Sequence, residues 1–310
     1  MGDELALGVR AVSGAAVYRG MDRATLDRQY SPSSRVPSLD AYLRAYERLS
    51  AAARRDHPVR AGLAYGPHRA ERLDYFPGPA SGRCPLLVFV HGGNWQALGR
   101  AESAFPAPAL LAEGAAVAVI EYGLAPDVGL DAMAGMVRRS VDWLLRHADG
   151  LGFAPHRLHL CGTSAGAHLA TMTLLPDPAD GPDVSGRIAG AVLLSGVYDL
   201  EPVRLSYVND ALRLDEAGAR RNSPLHRLPE RLPPVVVARG GNETEEYVRQ
   251  HDRMVTALRP RQAVTEVVAD RRDHFDLPYD LGVRGTGLGD AVLAQMGLGN
   301  ARTGLGGTST

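Results

Sequence analysis

Arg157-Leu158-His159-Leu160-Cys161-Gly162-Thr163-Ser164-Ala165-Gly166-Ala167-His168-Leu169-Ala170-Thr171-Met172 sets one serine between two segments of opposite character. Residues 157–161 are short and apolar enough for a buried strand, and residues 167–172 read as a helix. Strand, G-x-S-x-G, helix is the order of a nucleophile elbow. So sharp a turn forces Ser164 into strained backbone angles. Gly162 and Gly166, two positions to either side, let strand and helix pass without a Cβ clash. The hydroxyl then stands proud of the sheet at a helix N-terminus, whose amides favour negative charge. The bare motif arises by chance in a chain rich in Gly and Ala, where it marks an ordinary turn. The flanking strand and helix favour the nucleophile.

Outward from the elbow the same alternation continues. Short apolar runs recur at Leu86–Val90, Ala116–Ile120, Ala191–Leu194 and Val235–Ala238. Val264–Val268 alternates with polar residues and reads as a last strand near an edge. Helical stretches fall at about 103–113, 131–148, 165–175 and 244–259. Apolar runs alternating with helices predict an α/β fold, a mostly parallel sheet covered on both faces. At the start, residues 20–55 read helical: Asp22 is placed to cap a short helix, and Ser38 a longer one with Leu39, Tyr42, Leu43, Tyr46 and Leu49 at helical spacing. Residues 199–230, broken by Pro202, Pro224 and Pro229, read as an insertion folding over the sheet's carboxyl edge. One domain over residues 1–296 is expected, its N-terminal helical segment packing near the site, and residues 297–310 read as a disordered tail. Gly285-Thr286-Gly287-Leu288-Gly289 follows no strand, which argues against a nucleotide loop.

Composition narrows the chemistry. A net charge of −1 gives no reason to expect nucleic acid or an anionic membrane as partner. All 34 basic residues are arginine, which excludes a lysine nucleophile, a Schiff base and a Walker-type phosphate loop. Cys84 and Cys161 border apolar strands and read as core thiols rather than a bridge. Asp3 and Glu4 near the start, with no basic region followed by an apolar run, predict no signal peptide. No stretch approaches a membrane span, so a cytoplasmic protein is expected. None of the histidines shows H-E-x-x-H or paired-cysteine spacing; no metal and no other cofactor are expected. The expected partner is a small-molecule substrate. The oligomeric state is not written in the chain, and a homodimer is compatible with it.

A serine hydroxyl needs a base to take its proton as it attacks. His274, in Asp273-His274-Phe275-Asp276 after the last strand, sits where such a base belongs; the alternative is a solvated loop histidine. The imidazole needs an acid to fix its tautomer. Glu243 follows Gly240-Gly241-Asn242 in the loop leaving the strand at 235–238 and is the preferred candidate, whereas Glu245 and Glu246 read as first-turn helix acids. Asp199, in Ser195-Gly196-Val197-Tyr198-Asp199, is the alternative acid, or else an N-cap. For the oxyanion, Gly92 and Gly93 of His91-Gly92-Gly93-Asn94-Trp95 offer unobstructed amides after the strand at 86–90, joined by the amide of Ala165. His91 reads as a structural hydrogen-bonder beneath that loop.

With these parts placed, the chain resembles the α/β-hydrolase superfamily over nearly its whole length, and within it the kynurenine formamidase (arylformamidase) group. Gly20-Met21-Asp22-Arg23-Ala24-Thr25-Leu26-Asp27-Arg28-Gln29-Tyr30 is similar to that group's N-terminal segment, and His91–Gln96 to its oxyanion loop. Ser195–Leu200 through Ser223-Pro224-Leu225 is similar to the stretch after the elbow helix, and His274-Phe275-Asp276 to the histidine loop. Glu246-Tyr247-Val248-Arg249-Gln250 resembles the group's E-F-x-R-Q helix start, which places the family's acid three residues upstream, at Glu243. The resemblance implies a serine hydrolase that converts N-formylkynurenine to kynurenine and formate through a formyl-enzyme. A carboxylesterase or lactonase with the same triad is the alternative, as is a specialised biosynthetic homologue or a non-hydrolytic binding member. The chain departs from the group at Asn94, where an aromatic residue is common, at Thr163, where a histidine precedes the nucleophile, and at Ala167, usually glycine. Asn94, Trp95, Thr163 and Tyr198 are the expected pocket residues, with Arg204 and Asn94 as candidate contacts for a substrate carboxylate.

Overall fold

A computed structural model describes residues 15–79, 83–176 and 180–299. Eight strands form one sheet: β1 (Arg60–Ala64), β2 (Arg72–Phe76), β3 (Cys84–Val90), β4 (Ala116–Ile120), β5 (Phe153–Thr163), β6 (Gly190–Leu194), β7 (Val235–Asn242) and β8 (Val264–Asp273). Their order is β1-β2-β4-β3-β5-β6-β7-β8. β2 runs antiparallel to β1 and β4, and every other pair is parallel. The helices are α1 (Arg23–Gln29), α2 (Leu39–Asp56), α3 (Ala107–Ala112), α4 (Leu130–Arg146), α5 (Ala148–Leu151), α6 (Ala165–Thr173), α7 (Glu201–Arg204), α8 (Asn209–Leu212), α9 (Glu216–Arg221), α10 (Glu245–Leu258) and α11 (Gly287–Gln295).

The period of two along each strand divides the core between two faces. Leu86, Val88, Val90, Leu158, Leu160, Leu193 and Val237 face α4, α6 and α10. Leu87, Phe89, Val117, Cys161, Val192 and Val236 face α3, α11 and Ala53 of α2. Both faces are covered, so the central strands are buried at every position, which is why they appear in sequence as unbroken apolar runs. Cys84 and Cys161 are buried free thiols in this core. No helix among the described residues is long and apolar enough to cross a membrane.

Asp22 caps α1 by accepting from the Thr25 amide at 2.8 Å, and Ser38 caps α2 by accepting from Ala41 at 3.3 Å. Thr286, inside the glycine-rich Gly285–Gly289 stretch, caps α11 at 3.0 Å; the glycines there turn the chain into a helix. β1 and β2 are the elements that the apolar pattern does not announce. β2 reads Arg-Leu-Asp-Tyr-Phe, and its Asp74 is wholly buried, held by Arg54 of α2 at 2.8 Å and by Arg100 at 2.7 Å. The Asp74–Arg54 pair also ties the N-terminal helices to the antiparallel edge of the sheet. Of the segment read as a tail, Leu298 packs against the core and its amide donates to Leu293 at 2.8 Å. Residues 300–310 lie outside the described residues, as do Asp3 and Glu4.

Candidate active site

β5 runs into Ser164, whose φ of 54° and ψ of −119° lie outside the ordinary regions, and α6 begins at the next residue. The strand and helix cross with no room for a Cβ. One built on Gly162 would lie 2.2 Å from the Gly166 carbonyl oxygen, and one on Gly166 would lie 2.1 Å from that of Val90. The Ser164 amide donates to the Leu194 carbonyl at 2.8 Å, fixing the turn to β6. Four further non-glycine residues at the carboxyl edge have positive φ: Asn94 (52°), Trp95 (60°), Leu98 (67°) and Ser195 (44°). Such strain persists only where the surroundings over-determine it, and here it clusters around one serine.

β7 and β8 carry the other two groups. Their pairing extends past the sheet's edge to Asn242 opposite Asp273, so Glu243 and His274 are each the next residue along on adjacent strands. The approach depends on Gly240 and Gly241: a Cβ at either would lie 2.6 Å from a β8 carbonyl oxygen. His274 Nδ1 is 3.0 Å from Glu243 Oε2. An ionised carboxylate only accepts, so Nδ1 carries the proton and Nε2 is left as the acceptor. The turn around His274 is closed from both ends. Asp273 accepts from the amides of Phe275 (2.8 Å) and Asp276 (3.1 Å), and Asp276 accepts from Asp273 N at 2.7 Å. Both groups are nearly removed from solvent.

Ser195, the first residue after β6, donates its hydroxyl to Glu243 Oε1 at 2.5 Å. The carboxylate is thus gripped on both oxygens. Sequence reasoning missed this role. Its signal was positional: Ser195 follows directly on the strand beside β7, one sheet position over from Ser164. Tyr247 of α10 was likewise overlooked. Its ring meets His274 edge-on at 4.7 Å, and burial pushes the phenol above its ordinary range.

A cavity of about 250 Å³ opens at Ser164 and His274. Gly92 and Gly93 line it, and neither of their amides donates to another group among the described residues. The Ala165 amide heads α6 and has no partner within the helix. Leu39, Leu43 and Tyr46 of α2 form one wall, with Tyr207, from the stretch 199–230, and Phe275 completing it. α2 is fastened to the histidine loop by Tyr42, whose hydroxyl donates to Asp273 at 2.6 Å, and by Tyr46, which donates to the Phe275 carbonyl. Thr244 donates to the Gln29 carbonyl at 2.6 Å, so the N-terminal segment holds the acid loop as well.

Of the expected pocket residues, Asn94 and Thr163 line the cavity. Trp95 and Tyr198 do not. Trp95 is 1% exposed and its indole donates to His168 Nδ1 at 3.2 Å, anchoring the glycine loop on α6. Tyr198 is wholly buried, its ring turned under Gly196 and into the core. Ala167 is buried within α6, away from the cavity. Arg204 is also off the cavity, forked onto Glu201 at 2.7 and 2.9 Å. Asp199 pairs with Arg253 and accepts from Glu201 N at 3.2 Å. Burial opposes ionisation of that carboxyl, but Arg253, the Glu201 amide and His226 together outweigh it and hold its pKa below the ordinary value. Its oxygens are spoken for, and His274 is satisfied by Glu243.

The remaining histidines near the site are structural. Burial pushes His91 and His168 down to about 4, so both are neutral at pH 7. His91 Nδ1 donates to the Gly92 carbonyl at 2.8 Å and its ring stacks on Tyr122. Among the described residues, His251, Asp252 and Glu266 bring metal-ligand atoms together, but Glu266 is ion-paired with Arg259 at 2.6 Å and the group shares no residue with the cavity.

Sheet order, elbow and buried histidine–carboxylate pair define a hydrolase of the α/β-hydrolase fold. A BD-FAE family model matches residues 73–181, from within β2 through α6. The chain is 37% identical over 276 residues to a kynurenine formamidase of Danio rerio, covering 84% of this chain and 92% of that protein. It is 34% identical over 277 residues to a kynurenine formamidase of Salmo salar, with the same coverage of each. The chain belongs to the kynurenine formamidase family. Among solved structures, a protein of Silicibacter sp. TM1040 described as a thioesterase superposes with a TM-score of 0.76 at 26% identity, over 87% of this chain and 98% of that one.

Proposed function

We propose that this hydrolase cleaves aryl formamides through a formyl ester on Ser164. The observation that carries the reading is the Glu243–His274 contact of 3.0 Å at a cavity that also holds Ser164. Ser164 Oγ attacks the formyl carbon while His274 Nε2 takes its proton. Glu243 stabilises the imidazolium. The amides of Gly92, Gly93 and Ala165 receive the oxyanion. As the C–N bond breaks, His274 returns the proton to the departing arylamine nitrogen. Water then enters, gives a proton to His274, and attacks the formyl ester. Formate leaves, and Ser164 recovers its hydrogen.

The name of the two fish relatives supports a formyl group on an arylamine, with N-formylkynurenine as the first substrate to offer. A cavity of about 250 Å³, just below the usual small-molecule pocket range of about 300–1,000 Å³, suits one aromatic ring better than a long acyl chain. The purified protein should release formate from an aryl formamide with kcat/KM well above that for p-nitrophenyl acetate. Ester cleavage without formate release from any aryl formamide would favour the esterase alternative.

Ser195 acts through Glu243 and touches no substrate. Ser195→Ala should lower kcat about tenfold, the worth of roughly one hydrogen bond to a charged group, with KM nearly unchanged. An unaltered kcat would show that His274 alone suffices to hold the carboxylate.

A further inference from the structure

The amides of Gly92 and Gly93 can receive an oxyanion only if both point into the cavity. A trans peptide plane directs its N–H opposite to its C=O, and the bonds of this loop are trans. The direction of each amide is therefore set by whatever holds the carbonyl of the same plane. Tyr122, two residues beyond β4 and wholly buried, donates its hydroxyl to the His91 carbonyl at 2.8 Å and lies 3.5 Å from the Gly92 carbonyl. His91 Nδ1 donates to the Gly92 carbonyl at 2.8 Å. Both carbonyl oxygens thus turn toward one pair of donors beneath the loop. The N–H groups of the same two planes face the other way, where Gly92 and Gly93 line the cavity. Successive amides converging in this manner form an anion-binding concavity.

The two donors are themselves fixed. Burial raises the pKa of the Tyr122 phenol, which keeps its hydrogen available for donation. Its ring stacks on that of His91, with centroids 4.2 Å apart and planes within 10°. Three residues on, the Ala125 amide donates to the Trp95 carbonyl at 2.8 Å, so the chain after β4 holds the glycine loop at both His91 and Trp95. Gly92 is packed directly against the nucleophile: a Cβ on it would lie 3.1 Å from Ser164 Cβ. At that range a small rotation of either peptide plane moves a donor off the reacting oxygen.

We infer that Tyr122 is a positioning residue for the reaction: with His91 as its partner, it aims the Gly92 and Gly93 amides at the oxyanion by holding the carbonyls behind them. This rests on the oxyanion assignment made above and is independent of which acyl group is cleaved. Tyr122→Phe removes the hydroxyl and keeps the stacked ring; His91→Phe does the same for the Nδ1 donor. Each variant is measured for Tm, for kcat and KM on an aryl formamide and on p-nitrophenyl acetate, and for inhibition by phenylboronic acid. The boronic acid forms a tetrahedral adduct with a serine hydroxyl and so reads the oxyanion donors without turnover. Either substitution should lower kcat roughly tenfold, less than outright removal of an oxyanion donor, and weaken the boronate by a similar factor, with KM within about twofold of the parent. Parent-like kcat and boronate affinity in a folded Tyr122→Phe overturn the inference, whatever its Tm. Equal rises in KM and in the boronate constant overturn it as well, since they signal a cavity that has lost its shape. Should Tyr122→Phe not fold, His91→Phe is judged by the same criteria, and parent-like values there have the same consequence. A parent enzyme that cleaves the ester and releases no formate would end the formamidase reading, while the ester kinetics and the boronate still decide the role of Tyr122.

Discussion

Ser164→Ala should lower kcat by on the order of 10⁴- to 10⁶-fold, the scale seen when a covalent nucleophile is removed from a working serine–histidine pair. Thr163, Ser31 and Ser33 also line the cavity, but none of them heads α6 at the strained turn that Ser164 occupies, so none is expected to substitute. The fold should survive. The elbow is fixed by the backbone bond from Ser164 N to Leu194 O and by the glycines at 162 and 166, and the Ser164 side chain caps nothing. Circular dichroism and Tm close to those of the parent, with formate release near background, would fit. A variant that folds and retains full turnover would remove Ser164 as nucleophile. A formyl or acyl adduct trapped in the parent and absent from the variant would identify the atom directly.

Glu243→Gln should cost about 10²- to 10⁴-fold in kcat, because the carboxamide can present a donor to His274 Nδ1. Ser195 donates to Oε1, which keeps an oxygen there and leaves the new NH₂ facing the imidazole. The ring is then driven to the other tautomer, with the hydrogen on Nε2, where it cannot accept from Ser164. Asp199→Asn provides the control. Asp199 serves Arg253 and the Glu201 amide, so its loss should appear in Tm, while kcat changes by no more than about threefold. Steady-state kinetics on both variants rank the two acids. The reverse order would transfer the role to Asp199.

Much of the molecule was open to reasoning from local pattern. Continuous apolar runs marked the central strands because both sheet faces are covered, and G-x-S-x-G marked a crossing where a Cβ would meet a carbonyl at little more than 2 Å. His274 and Glu243 were accessible from their positions after successive strands, since parallel strands deliver their following residues to one edge. β1 and β2 were not accessible in this way. Asp74 and the arginines within and around those strands break the apolar pattern, and only the pairing of Asp74 with Arg54 and Arg100 makes that burial tolerable. The pocket was read least well. Trp95 and Tyr198 sit beside site residues in the chain yet turn into the core, while the wall comes from Leu39, Leu43 and Tyr46, more than a hundred residues before the elbow.

Residue type and spacing were therefore enough for the layered sheet, the serine at its turn, and the meeting of Glu243 and His274 after successive strands. Those properties depend on neighbours a few positions away and on the fixed direction of parallel strands. The hydroxyl of Ser195 on Glu243, the edge of Tyr247 on His274 and the seating of α2 as the cavity's wall emerged only when the chain was folded. Each is a contact between segments that share no local pattern, and nothing short of packing decides which way a side chain turns.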